Sequence, residues 1–266
     1  MSDISQLSRL SYFRVDAYHY TEKTVCDFKE CPRPHYCLGY VLEGTAVFNF
    51  DGGKAEVKKG DMIFVPVTSR YISVWEGNPY ISYISFHFSF ETPSLFEREK
   101  EYKIQKITAN DDGKTEKRFK KALAFFDGVK SEQLFAISSF FAVLGSIYDE
   151  LEFSPSKRLD PRIKKAVEYI EDHCENAIAV PQLARLVHMS DSHFYSCFKA
   201  SVGISPIEYK HRVCAERAML MLIKYPDLSV EEISDHLGFG SAMHFRKVFK
   251  KIVGVSPTAY RKGGRE

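Results

Sequence analysis

Apolar and polar residues follow different spacings in the two halves of the chain. From about residue 37 to residue 89, segments rich in Val, Ile, Tyr and Phe alternate with turn-forming residues such as Asp51-Gly52-Gly53. Segments of this composition between such turns are typical of β-strands. Many short strands in close succession predict an antiparallel barrel or sandwich for this part of the chain.

After Thr92-Pro93 the apolar residues recur at intervals of three and four, which predicts two helices, over about 114–128 and 131–153. The second helix has more apolar surface than a solvated helix needs, contributed by Phe135, Phe140, Phe141, Leu144, Ile147, Tyr148 and Leu151. Two interpretations of this helical arm stay open. It either packs against the predicted barrel or forms a dimer interface.

The remainder of the chain is predicted to be helical. Residues 154–158 have the composition of a linker. Asp160-Pro161 then starts a helix, with Asp as the N-cap and Pro at the first helical position.

The helical part contains an internal repeat whose copies start at Val180 and Val230. Equivalent residues lie 50 positions apart before the turn of each copy and 51 apart after it, so the second turn is one residue longer. The pairs after the turn are Ser190 and Ser241, Phe194 and Phe245, Phe198 and Phe249, Lys199 and Lys250, Gly203 and Gly254, and Tyr209 and Tyr260. Each copy therefore predicts a helix, a tight turn and a second helix.

Helix-boundary signals support this division. Ser229 and Glu232 have the spacing of a capping box, and Gly238 suits the end of the first helix of the second copy. In the first copy the predicted cap is Val180, which has no hydroxyl group. A Gly-x-Ser-Pro sequence closes each copy, and a long helix from Pro206 to about residue 224 joins the two.

Charge is distributed unevenly. From Lys157 to the end there are 18 Lys and Arg against 13 Asp and Glu, a net charge of +5. Because the whole chain carries +2, the earlier residues carry −3. A basic helical part indicates a polyanionic partner. The alternative is a helical bundle with a duplicated hairpin and no role in DNA binding.

The repeat closely resembles the DNA-binding domain of the AraC family of bacterial regulators. The segment ISDHLGFGSAMHFRKVFKKIVGVSPTAYR follows the family signature along its length, and LARLVHMSDSHFYSCFKASVGISPIEYK also fits. The resemblance covers about residues 160–262. It implies that the second helix of each copy enters the DNA major groove, with the two insertions about 34 Å apart on one face of the duplex.

The residues that this resemblance and helical geometry assign to DNA binding lie on those second helices. In the first copy they are Ser190, Asp191, Ser192, His193, Tyr195, Ser196 and Lys199. In the second copy they are Ser241, Ala242, Met243, His244, Arg246, Lys247, Lys250 and Lys251. Arg246 and Lys247 suit guanine edges or phosphates, and the other lysines, with Arg212, suit phosphates. The first copy lacks the Arg or Gln that many relatives carry in this helix.

The N-terminal part resembles cupin barrels and the ligand-binding barrel of AraC-type regulators. Gly60 and Pro66 in GDMIFVPVTSRY keep the spacing of the second cupin motif, and PHYCLGYVLEG and SFHF fit the AraC-type barrel. Metal-dependent cupin enzymes hold their ion with three His and a carboxylate. Here His35-Tyr36-Cys37 stands in place of a His-x-His pair, and Tyr71 replaces another His. Neither a metal nor another cofactor is therefore expected.

The barrel is instead expected to bind a small molecule without chemistry, since barrel mouths are common ligand sites. The candidate ligand-binding residues are Arg33, His35, Tyr36, Tyr40, Trp75, Tyr83 and His87. Trp75, the only tryptophan, suits stacking on a sugar ring. For each aromatic residue a place in the ordinary core is at least as good an interpretation, and for His35 and His87 a structural role is the alternative.

The remaining features place the protein in the cytoplasm. Its six cysteines form no CxxC pair, which is typical of reduced thiols in a cytosolic protein. The start of the chain has no signal-peptide pattern, and no stretch approaches the length of a membrane span.

Together these observations predict an α+β multidomain protein: an N-terminal cupin-like β-barrel with a helical arm and a C-terminal all-α domain with two helix-turn-helix units. The expected boundaries are 1–93 for the sensor barrel, 94–155 for the arm and dimerisation region, and 156–266 for the DNA-binding domain. The expected function is regulation of transcription by a homodimer that binds double-stranded DNA and a small-molecule effector, with RNA polymerase as a further partner. Two alternatives are a metal-dependent cupin enzyme fused to a DNA-binding module, and a constitutive regulator whose barrel only dimerises.

Overall fold

A computed structural model describes residues 10–29, 32–90, 96, 100–109, 111–155 and 159–263. The chain divides into two compact units, Met1–Ser156 and Lys157–Glu266.

The N-terminal unit is built on antiparallel strands. Their bounds are β1 Leu10–Tyr20, β2 Thr24–Asp27, β3 Tyr36–Glu43, β4 Thr45–Phe50, β5 Gly53–Lys58, β6 Asp61–Val65, β7 Tyr71–Glu76, β8 Ile81–Phe90, β9 Lys100–Tyr102, β10 Gln105–Thr108 and β11 Phe153–Pro155. One sheet has the order β1-β8-β3-β6-β10 and a second has the order β2-β7-β4-β5, while β9 pairs with β11. The sheet-rich barrel predicted from the short apolar segments is therefore confirmed.

The larger sheet has two apolar faces, because successive side chains of a strand point in opposite directions. Cys37, Val41 and Tyr83 face the interior and pack with residues of the smaller sheet. Leu38 and Phe86, from the alternate positions, face outward into a second apolar cluster. A single strand thus contributes to both clusters, and a shift of one position along it exchanges interior for exterior.

Two helices, α1 Lys114–Phe126 and α2 Lys130–Ile147, cover the outward face of the larger sheet. Phe119 of α1 stacks on Phe86 with 4.1 Å between ring centroids, and Phe140 of α2 meets the same ring edge-on at 5.5 Å. Both helical side chains are fully buried. The arm therefore packs against the barrel, as one of the two interpretations of its apolar face predicted.

The C-terminal unit is helical. Its elements are α3 Pro161–Asp172, α4 Val180–Leu186, α5 Asp191–Val202, α6 Pro206–Lys224, α7 Val230–His236, α8 Ala242–Val253 and α9 Pro257–Gly263. The pairs α4–α5 and α7–α8 are the two predicted helix-turn-helix units, and α6 is the predicted connecting helix. Four residues separate the first pair and five separate the second, so the extra residue in the second turn is confirmed.

The predicted caps form in the structure, with one correction. The hydroxyl of Ser229 accepts a hydrogen bond from the backbone N–H of Glu232, whose carboxylate accepts one from the Ser229 N–H. Gly203 and Gly254 end α5 and α8 with positive φ angles of 88° and 99°, which glycine adopts at little cost. Helix α4, however, begins at Val180, so its N-cap is the residue before the predicted one, and no side chain caps it.

Candidate nucleic-acid interface and barrel interior

Helix α5 exposes the side of its surface opposite its aromatic anchors. Phe194 and Phe198, four residues apart, are fully buried and hold α5 against the core of the first helix-turn-helix unit. The remaining face is exposed and consists of Asp191, Ser192, His193, Tyr195, Ser196 and Lys199, preceded by the exposed cap Ser190. With one Asp and one Lys among them, this face is polar and balanced in charge.

Helix α8 repeats the arrangement with a different charge. Phe245 and Phe249 are fully buried. The exposed side chains are those of Met243, His244, Arg246, Lys247, Lys250 and Lys251, with the exposed cap Ser241, while Ala242 is half-buried. The four cations of α8 face no acidic residue in the same helix. The two candidate recognition helices are thus equivalent in shape but not in electrostatics.

Arg246 has an intramolecular partner. Its guanidinium donates to the carboxylate of Glu231 at the start of α7, and this hydrogen bond lowers the pKa of Glu231. Both side chains are about half exposed, and exposed ion pairs contribute only about 0–1 kcal/mol. Such a pair positions the arginine without preventing it from exchanging the carboxylate for a phosphate or a base edge.

The barrel interior contains a polar cluster centred on His87. Its Nδ1 lies 3.1 Å from Nε2 of His35 and 3.5 Å from Nη1 of Arg33. Its Nε2 lies 3.4 Å from the Tyr18 hydroxyl and 3.5 Å from Oδ2 of Asp16. One imidazole ring therefore connects residues of β1, the segment before β3, and β8.

Electrostatics keep both imidazoles neutral. Burial lowers the pKa of His35 to about 3, and the nearby Arg33 adds to the effect. Burial, followed by Arg33 and His35, lowers the pKa of His87 in the same way. Because a guanidinium only donates, Nδ1 of His87 accepts from Arg33, and Nε2 of His35 is therefore the donor to that same atom. In a neutral imidazole this leaves Nδ1 of His35 as an unprotonated acceptor. This atom is buried and has no hydrogen-bond partner among the residues that the structure describes.

Arg33 is the positively charged residue of the cluster around His87. Its guanidinium lies 4.3 Å from the centroid of the Phe28 ring, and within the described part of the chain it forms no ion pair with a carboxylate. Asp16, the carboxylate of the cluster, accepts the single Nε–H of Arg14, which is shared between its two oxygens at 2.7 and 2.9 Å. Donors on Arg33 are therefore left for a bound molecule beside His87.

A stack of aromatic rings forms a wall of the same interior. Trp75 lies on Tyr83 with 4.0 Å between centroids and an angle of 10°, and Tyr18 covers Tyr83 at 4.6 Å. Phe48 meets Trp75 edge-on at 5.6 Å. One face of the indole ring is thus occupied by Tyr83, so Trp75 belongs to the packed core at that face.

The structure brings together five of the seven candidate ligand-binding residues and separates the other two. Tyr36 and Tyr40 lie on the outward face of β3, in the cluster beneath the helices. Tyr36 stacks on Phe96 at 4.3 Å and Tyr40 packs against Phe119 at 5.5 Å. Their assignment to the ligand site is corrected accordingly: they alternate with Cys37, and odd and even positions of a strand cannot face the same side.

The sequence interpretation missed Asp16 and Tyr18 because β1 was not predicted as a strand. The signal was present, since Tyr12, Asp16, Tyr18 and Tyr20 alternate with Phe13 and Val15 in one segment. This period of two is typical of a strand with two distinct faces. Ser85, two residues before His87, also faces the interior and lies 2.9 Å from Sγ of Cys37.

A metal-dependent enzyme would need a convergent set of ligands, and a membrane protein would need a long apolar helix. Within them, no group of three or more His, Cys, Asp or Glu side chains converges as a metal site would require. Among the same residues, no helix has the length and apolar composition needed to cross a membrane.

Both halves of the chain match known protein families. Residues 18–88 match the family model of the AraC-like ligand binding domain, and residues 183–263 match that of a helix-turn-helix domain. The Msm operon regulatory protein of Streptococcus mutans is 24% identical over 95% of this chain and 94% of its own length. The HTH-type transcriptional regulator MtrA of Neisseria gonorrhoeae is 35% identical over 41% of this chain, which covers 34% of that protein.

Solved structures show the same two-part fold. ToxT from Vibrio cholerae superimposes with a TM-score of 0.57 over 94% of this chain and 97% of its own, at 13% identity. A second ToxT structure, with an unsaturated fatty acid bound, gives a TM-score of 0.56 at 14% identity, covering 94% of this chain and 95% of the other. At such identities the likeness concerns the fold alone.

Proposed function

Because this chain belongs to the AraC family of transcription regulators, we propose that α5 and α8 form its DNA interface and that the polar cluster around His87 binds its effector. Regulation of transcription by a ligand-binding domain joined to a helix-turn-helix domain is the function of this family.

The observation that carries the DNA interface is the duplicated pattern of burial. In both copies the two phenylalanines are fully buried and the opposite face of the same helix is exposed. We assign Arg246 and Lys247 of α8 to guanine edges and the phosphates beside them, Met243 of α8 to a base edge, and Ser192 and Tyr195 of α5 to base edges. Lysine side chains later in each helix bind phosphates, which position the protein without reading sequence.

The test of this interface is selection of bound duplexes from a random DNA pool, using the full chain. We expect a consensus with two half-sites about one helical turn apart, the one bound by α8 being the better defined. A pool that shows no enrichment, or a single short site, would contradict the assignment of two reading helices.

For the effector, the chemistry of the cluster favours a small polar molecule with hydroxyl groups. Arg33 supplies donors, and Nδ1 of His35 is an acceptor without a partner in the described part of the chain. A hydroxyl group satisfies both at once, because its oxygen accepts and its hydrogen donates. Sugars have this chemistry, and the ring of Tyr18, which ends the stack of Trp75, Tyr83 and Tyr18, provides a surface beside it.

Effector binding can be followed in the full chain by thermal shift and by fluorescence of Trp75, the only tryptophan. A panel of mono- and disaccharides is compared with a panel of carboxylic acids of similar size. We expect stabilisation by a sugar, its loss in Arg33→Ala and His35→Phe, and its retention in Tyr40→Phe, a matched aromatic change on the outward face. Stabilisation by the acids alone would overturn the hydroxyl assignment.

We further propose that the protein acts in the cytoplasm as a homodimer, with RNA polymerase as a partner at the promoter. Leu134 and Phe135 on α2 are exposed by 67% and 50%, and this apolar surface supports a dimer formed through the arm. Effector binding then shifts the equilibrium between arrangements that differ in DNA affinity. Sedimentation of Leu134→Glu against wild type tests the dimer.

A further inference from the structure

A cleft of about 310 Å³ lies between the two helix-turn-helix units of the C-terminal unit. One wall is the segment 177–179 before α4, and the facing wall is the turn 238–240 with His244 of α8. Lys210 and His211 of α6 line it between these walls. The cleft therefore lies within the C-terminal unit, between its two helix-turn-helix motifs and beside the connecting helix α6.

Lys210 is the one Lys, Arg, Asp or Glu side chain among the described residues that line the cleft. Among the residues that the structure describes, Lys210 forms no ion pair, and the rings of His211 and His244 are 5.6 Å apart. Burial, and then His244, lower the pKa of His211, with Lys210 and Lys251 adding to the effect. The acidic neighbour is Glu208, whose carboxylate is already held by the hydroxyl and backbone N–H of Ser205, at 2.7 and 3.0 Å.

One wall of the cleft contains Gly240, a position where neither backbone conformation nor space requires glycine. At Gly240 a Cβ atom would meet nothing within 4 Å, and its φ is not in the left-handed region. Gly238, two residues earlier, differs on both counts. Folding thus requires glycine at 238 but not at 240, whereas close approach of another molecule to the turn would require it at both.

B-form DNA has a shape that would bring its backbone close to this turn. When two helices enter successive major grooves on one face of a duplex, the minor groove and its two phosphate strands lie between them. We propose, on the basis of the DNA interface above, that this cleft binds the DNA backbone between the two insertions, with Lys210 contacting a phosphate and Gly240 allowing its approach. The connecting helix, on which Arg212 is already expected to contact phosphate, is then a third point of contact with DNA through Lys210 in the cleft, in addition to the two recognition helices.

The test compares Lys210→Gln, Gly240→Asp and a control, Lys117→Gln, an exposed lysine of α1 in the N-terminal unit. Binding of the full chain to a duplex selected by the wild-type protein is measured by fluorescence anisotropy between 0.1 and 0.4 M salt. One lost phosphate contact makes the slope of log K against log salt shallower by about 0.9, which corresponds to about eightfold weaker binding at 0.1 M. We expect this for Lys210→Gln, a larger loss for Gly240→Asp with unchanged helical circular dichroism, and no change for the control.

The outcomes separate the two proposals. If the wild-type protein itself selects and binds no DNA, the proposed function fails. If wild type binds but Lys210→Gln matches the control in affinity and slope, only the cleft proposal fails. A loss of affinity with an unchanged slope also overturns it, because the lysine then acts through the fold. Lys210→Arg, which keeps the charge, is expected to bind like wild type.

Discussion

Replacing Arg246 and Lys247 with glutamine is expected to weaken DNA binding mainly by removing electrostatic contacts of α8. Both side chains are exposed, so their removal creates no cavity. The cost to the free protein is the loss of the exposed pair of Arg246 with Glu231, and exposed ion pairs contribute little to stability. A bidentate contact of an arginine to a guanine contributes about 1–3 kcal/mol, so the effect on binding is expected to exceed the effect on stability.

Salt dependence gives the magnitude. Each cation that neutralises a phosphate contributes about 0.9 to the slope of log K against log salt, so loss of two contacts makes the slope shallower by about 1.8. Between 50 and 200 mM salt, a fourfold change, wild type is then expected to lose about twelvefold more affinity than the double variant. The difference between the two proteins is therefore largest at low salt.

The assay is an anisotropy titration of a fixed duplex at four or more salt concentrations. The control is Lys114→Gln with Lys117→Gln, two exposed lysines of the N-terminal unit that change the net charge equally. The control is expected to parallel wild type. Parallel lines for wild type and the α8 variant would refute the placement of these side chains at the DNA backbone. A shallower line in the control would show that net charge, and not contact, sets the slope.

Two further predictions concern stability. Gly238→Ala is expected to lower the free energy of unfolding by more than about 3 kcal/mol, because φ at this position is 68° and a Cβ would lie 1.7 Å from a backbone carbonyl oxygen. His188 occupies the equivalent position of the first turn with φ 55°, and His188→Gly is expected to change the free energy of unfolding by less than about 1 kcal/mol. Urea unfolding followed by helical circular dichroism measures both, and equal effects would contradict the clash. Burial lowers the pKa of His35 from 6.5 to about 3, so the folded state favours the neutral imidazole. The contribution of His35 to the free energy of unfolding is therefore complete above pH 6.5 and is lost as the pH falls towards 3, at up to about 1.4 kcal/mol per pH unit. Urea midpoints from Trp75 fluorescence are expected to fall more steeply with acid in wild type than in His35→Gln, and equal slopes would show that His35 protonates as freely in the folded state.

Much of the C-terminal unit follows from local sequence. Its helices are set by caps and by apolar residues three and four positions apart, and the repeat fixes which residues are equivalent. Phe194 and Phe245 face inward in both copies for this reason, and the exposed face of each helix follows from them. Only the start of α4 was misplaced, by one residue, because no side chain caps it.

The barrel interior depended more on tertiary structure. The sequence identified Arg33, His35 and His87 as candidates, but only the pairing of β3 with β8 brings the two imidazoles to 3.1 Å. It also attributed Tyr36 and Tyr40 to the same site, although the strand turns them to the other side.

The physical reason is the difference in range between the two kinds of contact. A helix places residues on one face through hydrogen bonds to neighbours four positions away, so its exposed surface can be inferred from the sequence around it. The side chains of a strand point alternately to its two faces, and in the larger sheet both faces are apolar. Composition therefore does not show which face lines the barrel interior. That choice was made by α1 and α2, which cover one face and leave the other to enclose the polar cluster.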